Sequence, residues 1–210
     1  MNLSAIPRDL LLVSALLILV PLIVPDWILF VMTKSLFMFI CVSGVAFMLR
    51  GGLLTFGHAL FYATGAYTVG FMVKWFGVQE LLIVLPLGAL TGFIMAALVG
   101  LVMARYREVF FAMLNLAFSM MLFGALLKFY RVTNGTDGLP IGTPTLLGFE
   151  IESDGLGFYY FSLVIVAIVA YVIHRFMASP NGFYLRALHD NEIRIEYSGV
   201  SVRQVIYRTY

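Results

Sequence analysis

The sequence predicts an all-α, polytopic transmembrane helix bundle of about six spans, with the N-terminus and the C-terminal tail cytoplasmic. Three observations predict it. Hydrophobic residues make up 62% of the 210 and charged residues only 11%, whereas soluble domains run near 45–50% apolar and about 25% charged. Apolar runs approaching the roughly 20 residues that a spanning helix needs recur along the chain. The basic residues gather on alternate connections. The whole chain, 1–210, reads as a single transmembrane domain.

Six segments qualify as spans: Leu10–Val24, Trp27–Leu49, Leu54–Phe76, Leu81–Met103, Val109–Tyr130 and Gly157–Met177. The first is short and carries Pro21, which predicts a kink that neighbouring helices can tolerate in lipid. No small-residue cleavage site follows it, so it reads as an uncleaved span rather than a signal peptide. The third is the weakest, because Thr55, His58 and several glycines dilute it. It either spans or re-enters. Val132–Leu156 is a Gly/Pro/Thr-rich loop, and Ala178–Tyr210 is the one long polar stretch.

Orientation follows from charge. With the N-terminus inside, Arg8, Arg50, Arg105, Arg107, Arg175, Arg186, Arg194, Arg203 and Arg208 are cytoplasmic, nine of the 13 basic residues. Lys74, Lys128 and Arg131 fall outside, and Lys34 lies within a span. Excess Lys and Arg in short cytoplasmic loops fixes this arrangement. Trp27, Trp75, Tyr130, Tyr159 and Tyr160 then read as an outer aromatic belt. The net charge of +2, scattered rather than striped, gives no reason to expect a nucleic-acid partner. The single cysteine, Cys41, excludes an intrachain disulfide and a cysteine-rich metal site.

Gly88, Gly92, Ala96, Gly100 and Ala104 form a stripe of small residues at helical spacing, which lets helices pack closely in lipid. Lys34, Gly57, His58 and Asn115 are the candidates for a pathway, since polar groups at membrane depth are costly unless paired or wet. For His58, lining a path and bonding a neighbouring carbonyl are equally open. Lys34 can also snorkel outward, and Asn115 also reads as interhelical glue. No carboxylate lies in mid-membrane, which disfavours an acidic proton relay. No catalytic constellation is visible: H-E-x-x-H, Walker and G-x-S-x-G patterns are all missing. The chain is expected to be no enzyme, to hold no metal or cofactor, and to bind no ATP itself.

In the tail, Ser179-Pro180-Asn181-Gly182 reads as a turn, followed by a helix over Phe183–Tyr197 that Gly199 stops. Arg186, Asp190 and Arg194 stand four apart and can pair along one face. A lipid-lying helix would carry a basic polar face. Here Arg186, Arg194 and Arg203 are balanced by Asp190, Glu192 and Glu196, which suits a protein partner better. A cytoplasmic docking segment over 178–203 results.

Three stretches taken in order resemble one family. They are Gly52-Leu53-Leu54-Thr55-Phe56-Gly57-His58-Ala59 through Thr68; Arg107–Phe118 followed by Thr133–Leu139; and Ser179–Gly182 with Arg186–Glu192, ending at Gly199-Val200. Together they are similar to the permease subunits of ABC importers for branched-chain amino acids, and most to the second of the two paired permease types. The resemblance implies a bacterial inner-membrane permease that works with a homologous permease, two cytoplasmic ATP-binding subunits that use ATP, and a periplasmic binding protein. It also implies a coupling loop on which the ATPase seats, carried by Arg186, Asp190, Asn191, Glu192, Arg194, Glu196 and Gly199. Members continue into further spans after this loop, so the chain reads as C-terminally truncated relative to them. Branched-chain amino acids, urea and short amides all remain open as substrates. The alternative is a secondary transporter or channel without ATPase partners, which predicts an internal repeat and a membrane carboxylate that are not evident.

Overall fold

The computed structural model describes residues 8–152, 155–190 and 192–210, and of residues 8–12 and Arg194 the backbone alone. Ten helices form among them: α1 (Arg8–Leu19), α2 (Asp26–Leu49), α3 (His58–Phe76), α4 (Leu81–Met103), α5 (Glu108–Lys128), α6 (Tyr130–Thr133), α7 (Leu156–Met177), α8 (Pro180–Asp190), α9 (Glu192–Tyr197) and α10 (Val202–Thr209). Two two-residue strands, β1 (Thr145–Leu146) and β2 (Phe149–Glu150), pair antiparallel. Four helices, α2, α4, α5 and α7, are long and apolar enough to cross a membrane. The protein is an all-α polytopic membrane protein.

Proline explains the first bend. After α1 the chain tightens into a 3₁₀ turn at Val20–Leu22, where Pro21 is buried. Proline has no N–H, so Pro21 leaves the carbonyl of Leu17, four residues back, without its helical donor. The Tyr159 hydroxyl of α7 supplies one instead, at 2.9 Å, and Tyr160 donates to the next carbonyl, Ile18, at 2.9 Å. Tyr159 is therefore fully buried (0% exposed), which corrects its assignment to an aromatic belt. Trp27, Trp75 and Tyr130 are exposed.

The bundle is built from two helix pairs. α2 packs along α7, with Leu29, Leu36, Tyr159 and Val166 buried between them. α3 packs along α4, and its contact is backbone to backbone. A Cβ on Gly88 would stand 3.3 Å from the carbonyl oxygen of Gly65, and the reverse is equally true. Thr68 and Thr91 hydroxyls bond across the same seam at 2.8 Å. Glycine brings the helices close enough for dispersion contacts, which drive association where lipid is as apolar as leucine.

The third apolar segment is not continuous helix. α2 ends at Leu49, and residues 53–57 form no helix: Leu53, Thr55 and Gly57 are buried while Leu54 and Phe56 face outward, and Gly57 already takes helical φ and ψ as the cap of the next helix. Helix resumes only at His58. The base of the bundle is the end that holds this segment, the last turns of α2, α4 and α7, and the first turn of α5.

At the opposite end, the carboxylate of Glu80 organises the loop after α6. It accepts the N–H groups of Leu147 (2.6 Å) and Gly148 (3.3 Å) and the Thr145 hydroxyl (3.0 Å). These donors, the Leu147 N–H first, hold the Glu80 carboxyl below its ordinary range. A depressed carboxylate stabilises the fold above its unfolded pKa and loses that contribution as pH falls through the folded value.

Three outcomes follow from this architecture. Tyr159→Phe strands the Leu17 carbonyl and costs about 1 kcal/mol of stability in detergent, read as a lowered unfolding midpoint. Gly88→Leu forces α3 and α4 apart and costs about 1–3 kcal/mol. Amide exchange at Leu147 and Gly148, corrected for intrinsic rate, accelerates as pH falls below the carboxylate range, and Glu80→Ala shows fast exchange at every pH.

Candidate functional site at the base of the bundle

The tail folds as a sequence of short amphipathic helices laid across the base. Ser179-Pro180-Asn181-Gly182 does not form a free turn. It starts α8, with Ser179 as the capping residue (Phe183 N–H to Ser179 O, 3.2 Å) and Pro180 at the first helical position. Proline is favoured there because its missing N–H would have no partner anyway. The Ser-Pro signature was the available signal. Leu185 (0% exposed), Leu188 and Ile195 point into the bundle with Val202 and Ile206 of α10, joining Met48, Leu53, Met103, Phe111 and Met177 in one core.

This docking depends on bare backbone. A Cβ at Gly51 would collide with the Leu185 side chain, and one at Gly52 would lie 2.9 Å from His189 Nδ1. α9 ends in a Schellman motif: Val200 N–H bonds Ile195 O, Gly199 N–H bonds Glu196 O, and Gly199 adopts φ +82°. That left-handed position favours glycine. The expected stop at Gly199 stands where the structure has it.

The residues expected in the coupling loop separate into two groups. Glu192 is turned inward and pairs with Arg107 at 3.2 Å, across the α4–α5 connection. The Arg107 guanidinium also donates to the carbonyls of Ala104 (3.1 Å) and Tyr106 (3.0 Å). It steadies the start of α5, where Glu108 takes φ +47°, a conformation that costs a non-glycine residue about 1–2 kcal/mol. Arg186, Asp190 and Glu196 are exposed beside the large exposed side chains Ile193 and Tyr197. Arg186 and Asp190 form no ion pair with each other among the described residues. Asn191 lies outside the described residues, as does the side chain of Arg194.

Above the docked helices lies a polar cluster. Asn115 on α5 is 1% exposed. Its Nδ2 donates to Phe111 O at 3.0 Å, and its Oδ1 accepts the Tyr210 hydroxyl at 2.6 Å. The Tyr210 ring stands edge-on to Phe61 and Phe111 and covers Gly100, whose Cβ would lie 3.0 Å from it. Gly57 is bare because a Cβ would meet Asn115 Oδ1 at 2.5 Å. The His58 imidazole lies against Gly44 of α2, and its buried Nδ1 has no hydrogen-bond partner among the described residues. The same holds for the hydroxyl of Ser119, one turn beyond Asn115. Unsatisfied buried polar atoms are rare and call for water or a ligand.

The structure thus brings Gly57 and Asn115 together and places His58 next to Gly57. It leaves Lys34 apart, exposed on α2 about 15 Å along the helix from Gly44. Of the small-residue stripe, Gly88 faces α3, Gly100 faces α10, Gly92 makes only ordinary contact with Phe61 O, and Ala96 is half-buried. Sequence reasoning missed Tyr210, Ser119 and the role of Arg107. No local signal announces a bond between residues as far apart as Tyr210 and Asn115.

The family model described as "Branched-chain amino acid transport system / permease component" matches residues 27–210. The chain belongs to this family. Two relatives are the high-affinity branched-chain amino acid transport system permease proteins LivM of Escherichia coli (strain K12) and of Salmonella typhimurium (strain LT2). Each is 29% identical over 177 residues, 73% of this chain. The chain spans about 41% of the length of these curated relatives. No solved structure matches significantly. The family is one of transport permeases.

Two measurements probe the site. Asn115→Leu leaves the Tyr210 hydroxyl without its acceptor and costs about 1–3 kcal/mol, and most of that cost disappears in the Asn115→Leu/Tyr210→Phe double variant. Arg107→Glu and Glu192→Arg each lower stability by about 0.5–1 kcal/mol, the scale of a half-exposed pair, and the charge-swapped double variant recovers part of the loss.

Proposed function

We propose that this chain is the membrane-spanning part of a permease subunit in an ATP-driven importer of branched-chain amino acids or similar small polar solutes. In this reading α1, α2, α3, α4, α5 and α7 make six crossings. The base faces the cytoplasm, where its arginines satisfy the positive-inside bias. The partners are a homologous permease, two cytoplasmic ATP-binding subunits and a periplasmic binding protein, in a bacterial inner membrane.

The observation that carries the reading is mechanical. α8 packs against α7 of one helix pair, and α10 packs against both α8 and α4 of the other pair. A force on the outer face of α8–α9 therefore reaches both pairs. That face carries Ile193 and Tyr197, 61% and 88% exposed, near the exposed Asp190 and Glu196 in the chain. Exposed apolar side chains rimmed by charge suit a protein contact. ATP-driven closure of the partners would rock one pair against the other, a rearrangement of packed helices.

The pathway in this reading passes the non-helical 53–57 segment. Non-helical backbone at membrane depth is tolerated where it is buried in protein or lines a wet cavity. The N–H groups of Leu54, Thr55 and Phe56 find no partner among the described residues, and the unsatisfied His58 and Ser119 atoms are close in sequence to the Gly57–Asn115 contact. Small polar solutes could exchange hydrogen bonds with these groups.

The test is co-purification of the ATP-binding subunits with the permease. Ile193→Asp/Tyr197→Asp lowers their recovery at least about tenfold, the scale expected for removing central apolar contacts. The permease itself stays at its usual level in the membrane. Wild-type recovery of the ATPases with this variant overturns the docking role.

A further inference from the structure

We infer that the flank of the α2–α7 pair at the base holds an anionic phospholipid. A groove of about 800 Å³ runs there between α2, α7 and α8. Its floor is mainly apolar, formed by Phe39, Val42 and Ala46 of α2 with Ala170 and Ile173 of α7, and the Ser43 hydroxyl there is bonded to Ile40 O. Its rim at the base carries Arg50 and Arg186, with His174 and the Ser179 hydroxyl. No carboxylate lines it. Neither arginine forms an ion pair among the described residues.

Length selects the occupant. From Phe39 to Arg50, α2 rises about 16 Å, close to half of the roughly 30 Å hydrocarbon core. The groove is thus one leaflet deep and ends in cations at headgroup level. An acyl chain fits the apolar floor, and a phosphodiester fits two guanidiniums, which pair with phosphate through planar, fork-like donors. A polypeptide helix crossing the bilayer would need a face continuing past Phe39 toward Trp27, and the groove does not extend there. Because Arg186 belongs to α8, the lipid would tie that helix to α2 from outside the core. This site does not depend on which solute the bundle carries.

Native mass spectrometry of the full chain in mild detergent tests the inference, with dioleoylphosphatidylglycerol and dioleoylphosphatidylcholine titrated separately. The wild type binds the anionic lipid preferentially. Arg50→Gln/Arg186→Gln weakens that binding at least about tenfold, while Arg50→Lys/Arg186→Lys keeps the preference and so controls for folding. Ala46→Trp, which fills the floor and leaves the charges, weakens both lipids. Equal affinity of the wild type for the two lipids, or wild-type binding by the glutamine variant, overturns the proposal. So does a photo-crosslinker at Val42 that captures polypeptide rather than lipid in native membranes.

Discussion

The close approach of α8 to the backbone at Gly51 and Gly52 organises the base of this protein. Where α2 ends, the chain must turn without a side chain, because Leu185 occupies the volume a Cβ would need. That contact buries Leu185 and Leu188 against Met48, Leu53 and Met177, and each such side chain contributes about 1.5–3 kcal/mol by leaving water. It also brings α9 to Arg107 and directs α10 toward Asn115. An amphipathic stretch that could have lain on the membrane surface becomes a cross-brace between two helix pairs.

The same economy of side chains recurs elsewhere. α3 and α4 meet through Gly65 and Gly88, and Gly57 admits the Asn115 amide. In lipid, helices gain nothing by hiding leucine from leucine, so close backbone contact and hydrogen bonds decide which helices pair. Proline exacts the complementary cost. At Pro21 the lost donor is replaced by Tyr159 from a helix far along the chain, and at Pro180 nothing is lost because the residue opens α8.

Much of this was legible in the sequence. The spans α2, α4, α5 and α7 follow from length and hydrophobicity alone, and the end of α9 follows from Gly199. The third segment was harder. Leu54 and Phe56 are apolar enough to read as helix, yet both are exposed while Leu53, Thr55 and Gly57 beside them are buried, a period-two pattern that helix does not give, and only the neighbouring glycines hinted at that. Tyr159 and Tyr160 look alike in sequence, but the carbonyl orphaned by Pro21 draws Tyr159 into the core. The polar cluster was half legible. Gly57, His58 and Asn115 stand out as polar or bare positions in apolar runs. Tyr210 and the Arg107–Glu192 pair depend on long-range packing that no local pattern encodes.

The brace is best tested by the distance between spin labels on Tyr106, in the α4–α5 connection, and Ile193, on the outer face of α9, measured by pulsed electron resonance in a lipid bilayer. The account predicts one narrow distance distribution, broadened when Leu185→Glu removes the buried anchor. A broad distribution in the otherwise wild-type chain, unchanged by Leu185→Glu, would contradict it, because α9 would then not be held on the bundle.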